Sequence, residues 1–180
     1  MLQITIPGGE MWDEVNDVFV YTGGQTLQLE HSLVSLSKWE SKWCKPFLSQ
    51  TPKTEEEIND YIRCMTLTQN VNPDIYRFLS DENIIAIQRY IDAPMTATTF
   101  SQDPSERGGG EIITAEIIYY WMVSFNIPFE CQKWHLNRLL TLIKVCESKN
   151  RPPRKMSRSA ILSRNAALNK QNRARFRSRG

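Results

Sequence analysis

The sequence predicts an α+β fold that is mostly α: a small N-terminal antiparallel sheet packed on a helical domain, with a flexible basic C-terminal tail. Three observations carry this reading. Short β-rich runs punctuated by Gly and Pro fill the first thirty residues. From residue 31 to 146 the apolar residues recur at spacings of three and four, the period of a helix face. Beyond Ser148 the acidic residues stop, and residues 149–180 hold eleven Lys or Arg and no Asp or Glu.

That last change divides the chain. The net charge of +2 over 180 residues conceals eleven basic and all twenty acidic residues in the first 148, a body of −9 beside a tail of +11. We therefore expect one globular domain over 1–148, with its sheet in 1–30 and its helical core in 31–146, and an interaction tail over 149–180. Apolar residues make up 41%, enough for a packed core, and no run of eighteen apolar residues is free of charge, so no membrane span is expected. The opening MLQITIPGGEMWDE has no basic region followed by an apolar one, so no secretory signal is expected. Cys44, Cys64, Cys131 and Cys146 form no CxxC pair, which favours a reducing, cytosolic setting.

Taken in order, LQITI (2–6), VFVYT (18–22) and TLQLE (26–30) read as three strands, separated by Pro7-Gly8-Gly9 and Gly23-Gly24. Ser32 is an N-cap for a helix whose Leu33, Leu36, Trp39 and Trp43 share a face and which Pro46 ends. Thr54-Glu55-Glu56-Glu57 matches a capping box, in which the Thr oxygen and the third-position Glu each satisfy an open backbone N–H. Ile58, Tyr61, Ile62 and Met65 form the stripe that this helix buries. Pro73 to Leu79 is a helical turn. Ser80 then caps a helix with Ile84, Ile85, Ile87, Tyr90 and Ile91 inside, ended by Pro94. Residues 95–111 are polar, close on Gly108-Gly109-Gly110, and read as a surface loop.

The stretch from Glu111 to Cys146 is the most apolar. Ile113, Ile117, Trp121 and Phe125 repeat every four residues, with Ile118 and Met122 as a second row. Pro128 breaks the pattern. A second helix is expected from Glu130 or Gln132, lined by Leu136, Leu139, Leu140, Ile143 and Cys146. This helix–turn–helix pair is expected to form the core on which the other segments dock. After the stiff linker Arg151-Pro-Pro-Arg-Lys, residues 156–172 can be helical, and Asn172 to Gly180 is expected to be disordered in isolation.

Catalytic chemistry finds little support. Gly108–Gly110 lacks the Lys-Ser or GxGxxG context of a phosphate loop. Cys131 and His135 are four residues apart, but a zinc site needs three or four ligands and no second pair has ligand spacing. No nucleophile elbow or triad pattern accompanies the two histidines. The glutamates at 55–57 are explained by capping. No catalytic residue, metal or cofactor is assigned, and the body reads as a binding module rather than an enzyme.

LQLEHSLVSLSKWESKW (27–43), DYIRCMTL (60–67), PMTATTF (94–100), IIYYWMVSFNIPFECQKWHLNRLLTLIKVC (117–146) and the basic ending LNKQNRARFRSRG (168–180) resemble a group of tail-assembly proteins of long-tailed, siphovirus-type bacteriophages, the tail assembly chaperones. The resemblance spans most of the chain, through apolar structural motifs rather than reaction motifs. It implies a non-enzymatic helper in the host cell cytoplasm. Such a helper keeps the aggregation-prone tape measure protein in solution, aids assembly of tail tube protein around it, and is absent from the finished virion.

A chaperone for a helical client needs apolar or aromatic grooves and charged handles. Trp39, Trp43, Trp121 and Trp134 are the groove candidates, each weighed against ordinary core packing. The handles are Arg154, Lys155, Arg158, Arg164, Arg173, Arg175, Arg177 and Arg179, which can meet an acidic client or the acidic body of a neighbouring copy. Two rival classes stay open. A tail this basic can bind nucleic acid with steep salt dependence, although the acidic body opposes it and Phe176 alone offers stacking. A head–tail or tail component of the virion is the other.

Overall fold

A computed structural model describes residues 1–14, 16–100, 112–150 and 157–176. The chain divides into two compact units, Met1–Ser148 and Lys149–Gly180. The first is α+β and mostly helical, with a small antiparallel β element at its N-terminus. In the second, a helix covers Arg158–Phe176.

Among the described residues four strands are present where the sequence suggested three: β1 (Leu2–Ile6), β2 (Gly9–Asp13), β3 (Val18–Thr22) and β4 (Gln25–Leu29). β1 pairs with β4 from Leu2↔Leu29 to Ile6↔Gln25, and β2 with β3 from Gly9↔Thr22 to Asp13↔Val18. The two ladders keep one register, so together they form a single long hairpin, interrupted where Pro7-Gly8 faces Gly23-Gly24. Pro7 has no N–H to give the ladder. A Cβ on Gly8 would come within 2.9 Å of the Gly24 amide nitrogen, so the two arms approach here more closely than side chains permit. The inner half is anchored by Ile4, Ile6, Leu27 and Leu29, all buried. Its β4 edge is covered by residues 65–68, through Glu30 N–H to Met65 O (2.9 Å) and Leu67 N–H to Gln28 O (2.8 Å).

The helices are α1 (Leu33–Trp43), α2 (Glu55–Met65), α3 (Asp81–Asp92), α4 (Ala115–Ser124) and α5 (Leu136–Asn150), with 3₁₀ turns at Pro73–Phe78 and Phe129–Lys133. Ser32 caps α1 and forms a capping box with Ser35; Thr54 does the same for α2 with Glu57; Ser80 caps α3. α1 ends before Pro46, because Cys44 adopts a left-handed conformation (φ 51°) and turns the chain. The second helix of the central pair starts at Leu136 rather than near Glu130, since Pro128 leads first into the 3₁₀ turn.

The core is not centred on the pair α4 and α5. Among the described residues two apolar clusters form. One holds Ile4, Ile6, Leu27 and Leu29 of the hairpin with Trp39, Tyr61, Ile62, Met65, Ile75, Tyr76, Ile87 and Tyr90. The other holds Ala115, Ile118, Met122, Ile127, Cys131, Leu136, Leu139 and Ile143, and Leu33 and Leu36 reach into it. α1 therefore serves both clusters. In α4 the buried row is Ala115, Ile118 and Met122, whereas Ile113, Trp121 and Phe125 are partly buried beside it. Ile58 and Ile85, expected inside, are exposed.

The segment Glu30–Ser32 joins these parts. His31 O accepts the Leu136 N–H at 2.7 Å, and Ser32 bridges to His135. The His31 Nδ1 atom lies 2.6 Å from the Tyr61 hydroxyl, and the His31 and His135 rings meet edge-on at 5.1 Å. His135 Nε2 donates to Tyr90 O at 2.9 Å, and the Tyr90 hydroxyl donates to Glu30 at 2.7 Å.

Candidate functional site

The groove candidates separate. Trp39 is 1% exposed, and its indole N–H donates to Glu57 O at 2.8 Å, so it is core and lines no open groove. Trp43 is half-buried, stacked on Trp39 with ring centres 6.2 Å apart, and its indole N–H donates to the Asp60 carboxylate at 2.9 Å. Trp121 and Trp134 are half-buried against the other cluster, and the Arg138 guanidinium covers Trp134 at 4.1 Å. The four rings thus divide between the two apolar clusters.

Around Trp43 the surface is charged rather than apolar. A cavity of about 320 Å³ is lined by Lys42, Glu55, Glu56, Asn59, Asp60 and Arg63. Burial pushes the Asp60 carboxyl up, but its bonds to the Lys42 ammonium and the Trp43 indole outweigh this and hold it below the usual carboxylate range. Glu57 is held low too, first by its bond to Lys45 and then by the Thr54 amide that completes the capping box. These carboxylates are fully used in fixing α2 to the end of α1.

The two histidines are structural in the same sense. Burial, reinforced by His135, brings His31 down to about 4. His135 is also lowered by burial, against the opposing pull of the Tyr90 carbonyl. Both His135 ring nitrogens are engaged, Nε2 by Tyr90 O and Nδ1 by the Asn137 N–H at 3.3 Å. Cys131 sits in the 3₁₀ turn and is buried; it does not share a helix face with His135. Among the described residues no group of three His, Cys, Asp or Glu side chains is placed to hold a metal.

Of the basic handles, Arg158, Arg164, Arg173 and Arg175 lie on α6 (Arg158–Phe176); Arg154, Lys155, Arg177 and Arg179 fall outside the described residues, as does the 101–111 part of the polar loop. Ala166, Ala167, Ala174, Leu162, Leu168 and the long basic side chains favour a helix intrinsically. It reaches Phe176, past the Asn172 end expected from the sequence. Every side chain of α6 that the structure describes is exposed, including Ile161, Leu162, Leu168 and Phe176. With Lys170 the helix carries five described positive charges and no negative one.

A surface that the sequence reading missed is the outer half of the hairpin. Trp12 and Phe19 are cross-strand partners with ring centres 4.8 Å apart, and Tyr21 follows Phe19 at 6.2 Å. All three are exposed, at 44%, 56% and 65%. The opposite face of this half rests on the body: Gly9 abuts the Phe78 ring, and buried Asp13 accepts from the Arg77 guanidinium at 2.7 Å. The signal was available in VFVYT, where Phe19 and Tyr21 alternate with Val18 and Val20, so both strand faces carry apolar side chains. It was obscured because β2, GEMWD, has little strand propensity and is imposed by its partner.

No helix among the described residues is long and apolar enough to cross a membrane. Comparison with family models, curated proteins and solved structures finds no match to this chain.

Proposed function

We propose that this chain is a non-enzymatic assembly factor that acts by holding other proteins, and specifically a phage tail assembly chaperone. In this reading it binds the tape measure protein in the host cell cytoplasm and aids the assembly of tail tube protein around it. The resemblance in the motifs supplies the specific part. The supporting structural observation is α6, a helix of nineteen residues with every described side chain exposed and five positive charges. Helices in water draw most of their stability from packing an apolar face, and the described side chains of this one are exposed. Such an element gains from a partner that supplies acidic and apolar contacts.

The test is recovery of the tagged full-length protein from infected cells at low and high salt, with mass spectrometry and nucleic-acid staining of the eluate. Tape measure and tail tube proteins without nucleic acid are the expected result. Salt-sensitive recovery of DNA or RNA alone overturns the chaperone reading in favour of nucleic-acid binding. Detection of the chain in purified particles overturns it in favour of a virion component.

A further inference from the structure

We infer that the open aromatic face of the β2–β3 half of the hairpin is a docking surface for the basic helix α6 of a second copy of this chain. The inference needs no client protein and is independent of the chaperone reading.

The hairpin carries each of its faces continuously along its length. Side chains alternate between the two faces of a strand, and the register runs unbroken through the Pro7-Gly8 and Gly23-Gly24 interruption. Carried through that break, the alternation puts Glu10, Trp12, Phe19 and Tyr21 on the ribbon face that carries Ile4, Ile6, Leu27 and Leu29 further in. The inner part of this face is covered by the protein's own core, where Ile6, Leu27 and Leu29 are completely buried. The outer part is open, because beyond the break the ribbon lays its other face on Phe78 and Arg77. A partner on Trp12, Phe19 and Tyr21 therefore extends an apolar surface that the chain covers only halfway.

Residues 1–37 contain no Lys or Arg, while the outer half carries Glu10, Asp13, Glu14 and Asp17. Arg77 meets Asp13. Glu10, which pairs with Tyr21 across the strands, and Glu14 and Asp17 at the hairpin end are exposed. A cationic segment answers both features, since guanidinium groups pair with carboxylates and stack on aromatic faces.

The helix α6 carries a matching pattern. At 100° per residue, Ile161, Arg164, Leu168 and Arg175 fall within about 60° of arc. This stripe alternates apolar and cationic groups, the complement of Trp12, Phe19 and Tyr21 flanked by carboxylates. Ile161 and Leu168 are exposed in the structure, and the segment 149–180 contains no acid to repel the hairpin. The contact is heterologous, one surface of a copy on a different surface of the next, so it links copies head to tail.

Sedimentation equilibrium of the purified full-length chain tests this with two variants. One removes the hairpin rings (Trp12→Ser, Phe19→Ser, Tyr21→Ser); the other removes the helix stripe (Ile161→Ser, Leu168→Ser, Arg175→Gln). The wild type is expected to associate at about 0.05 M salt and to lose about tenfold in affinity at about 0.5 M, where screening shortens to a few ångströms. Each variant alone is expected to associate about tenfold more weakly or worse. A mixture of the two is expected to form one-to-one pairs, because it retains one intact hairpin and one intact helix. A monomeric wild type, or a mixture that associates no better than its components, overturns the inference. Unchanged circular dichroism melting of both variants establishes that the loss is one of contact and not of fold.

Discussion

The Glu40 carboxylate on α1 accepts the backbone N–H of Ala115 at 2.7 Å, across 75 residues of chain. Its other oxygen accepts the Phe47 N–H at 2.8 Å. Thr114 precedes α4 without making a side-chain cap bond, so a carboxylate from another helix satisfies the first amide of α4 and faces the positive end of its dipole.

Glu40→Ala leaves two inward N–H groups without an acceptor. We expect a loss of about 3 kcal/mol in urea unfolding. Glu40→Gln keeps one acceptor but turns an NH₂ toward the other amide, and is expected to lose about 2 kcal/mol. Equal stability of the wild type and Glu40→Ala would show that water satisfies these amides instead.

Trp39 provides a direct test of core against groove. Trp39→Ala is expected to cost about 3–5 kcal/mol through the cavity it leaves. Trp39→Phe keeps most of the ring but abandons the Glu57 carbonyl, at about 1–2 kcal/mol. If Trp39 instead lined a binding groove, the Phe variant would melt normally and bind its partner poorly.

Acid is expected to loosen the body. His31 has a folded value of about 4 against an ordinary 6.5, so the unfolded chain takes up the proton first as pH falls. Stability is complete above pH 6.5 and declines below it by about 1.4 kcal/mol per pH unit, about 3 kcal/mol in all by pH 4. Denaturant midpoints measured across this range should show the slope, and His31→Gln, which retains a partner for the Tyr61 hydroxyl, should remove most of it. His135 and the low carboxylates Glu57 and Asp60 act in the same direction.

The exposed charges of the basic helix are expected to contribute little to the stability of the body. Arg158→Gln, Arg173→Gln and Arg175→Gln together are expected to shift the unfolding free energy by less than about 0.5 kcal/mol, because these side chains are exposed. A larger shift in the denaturant midpoint would mean that the tail packs as core.

The parts legible in the sequence are those that local chemistry specifies. Ser32, Thr54 and Ser80 announce helix starts because a short side-chain oxygen has one natural use there. The break at Pro128 was legible for a similar reason, but not its length: the 3₁₀ turn at Phe129–Lys133 has a helix-like composition. Strand β2 was hidden because cross-strand pairing, not its own residues, makes it extended. Spacing put Leu33, Leu36 and Trp39 on one helix face without revealing that this face meets two different clusters. The four tryptophans weighed as a groove lie in the helical region, while the exposed group Trp12, Phe19 and Tyr21 lies on the outer half of the hairpin, where β2 carries little strand signal of its own.

The sharing of α1 also bears on how the body comes apart. Leu36 and Trp39 are separated by less than one helical turn, yet each is completely or almost completely enclosed by a different cluster. Neither cluster can open without uncovering a side chain on the same turn that anchors the other. The two clusters should therefore melt as one cooperative unit, and the amides of α1 should exchange with solvent only through whole-domain opening, while the outer hairpin exchanges by local fraying.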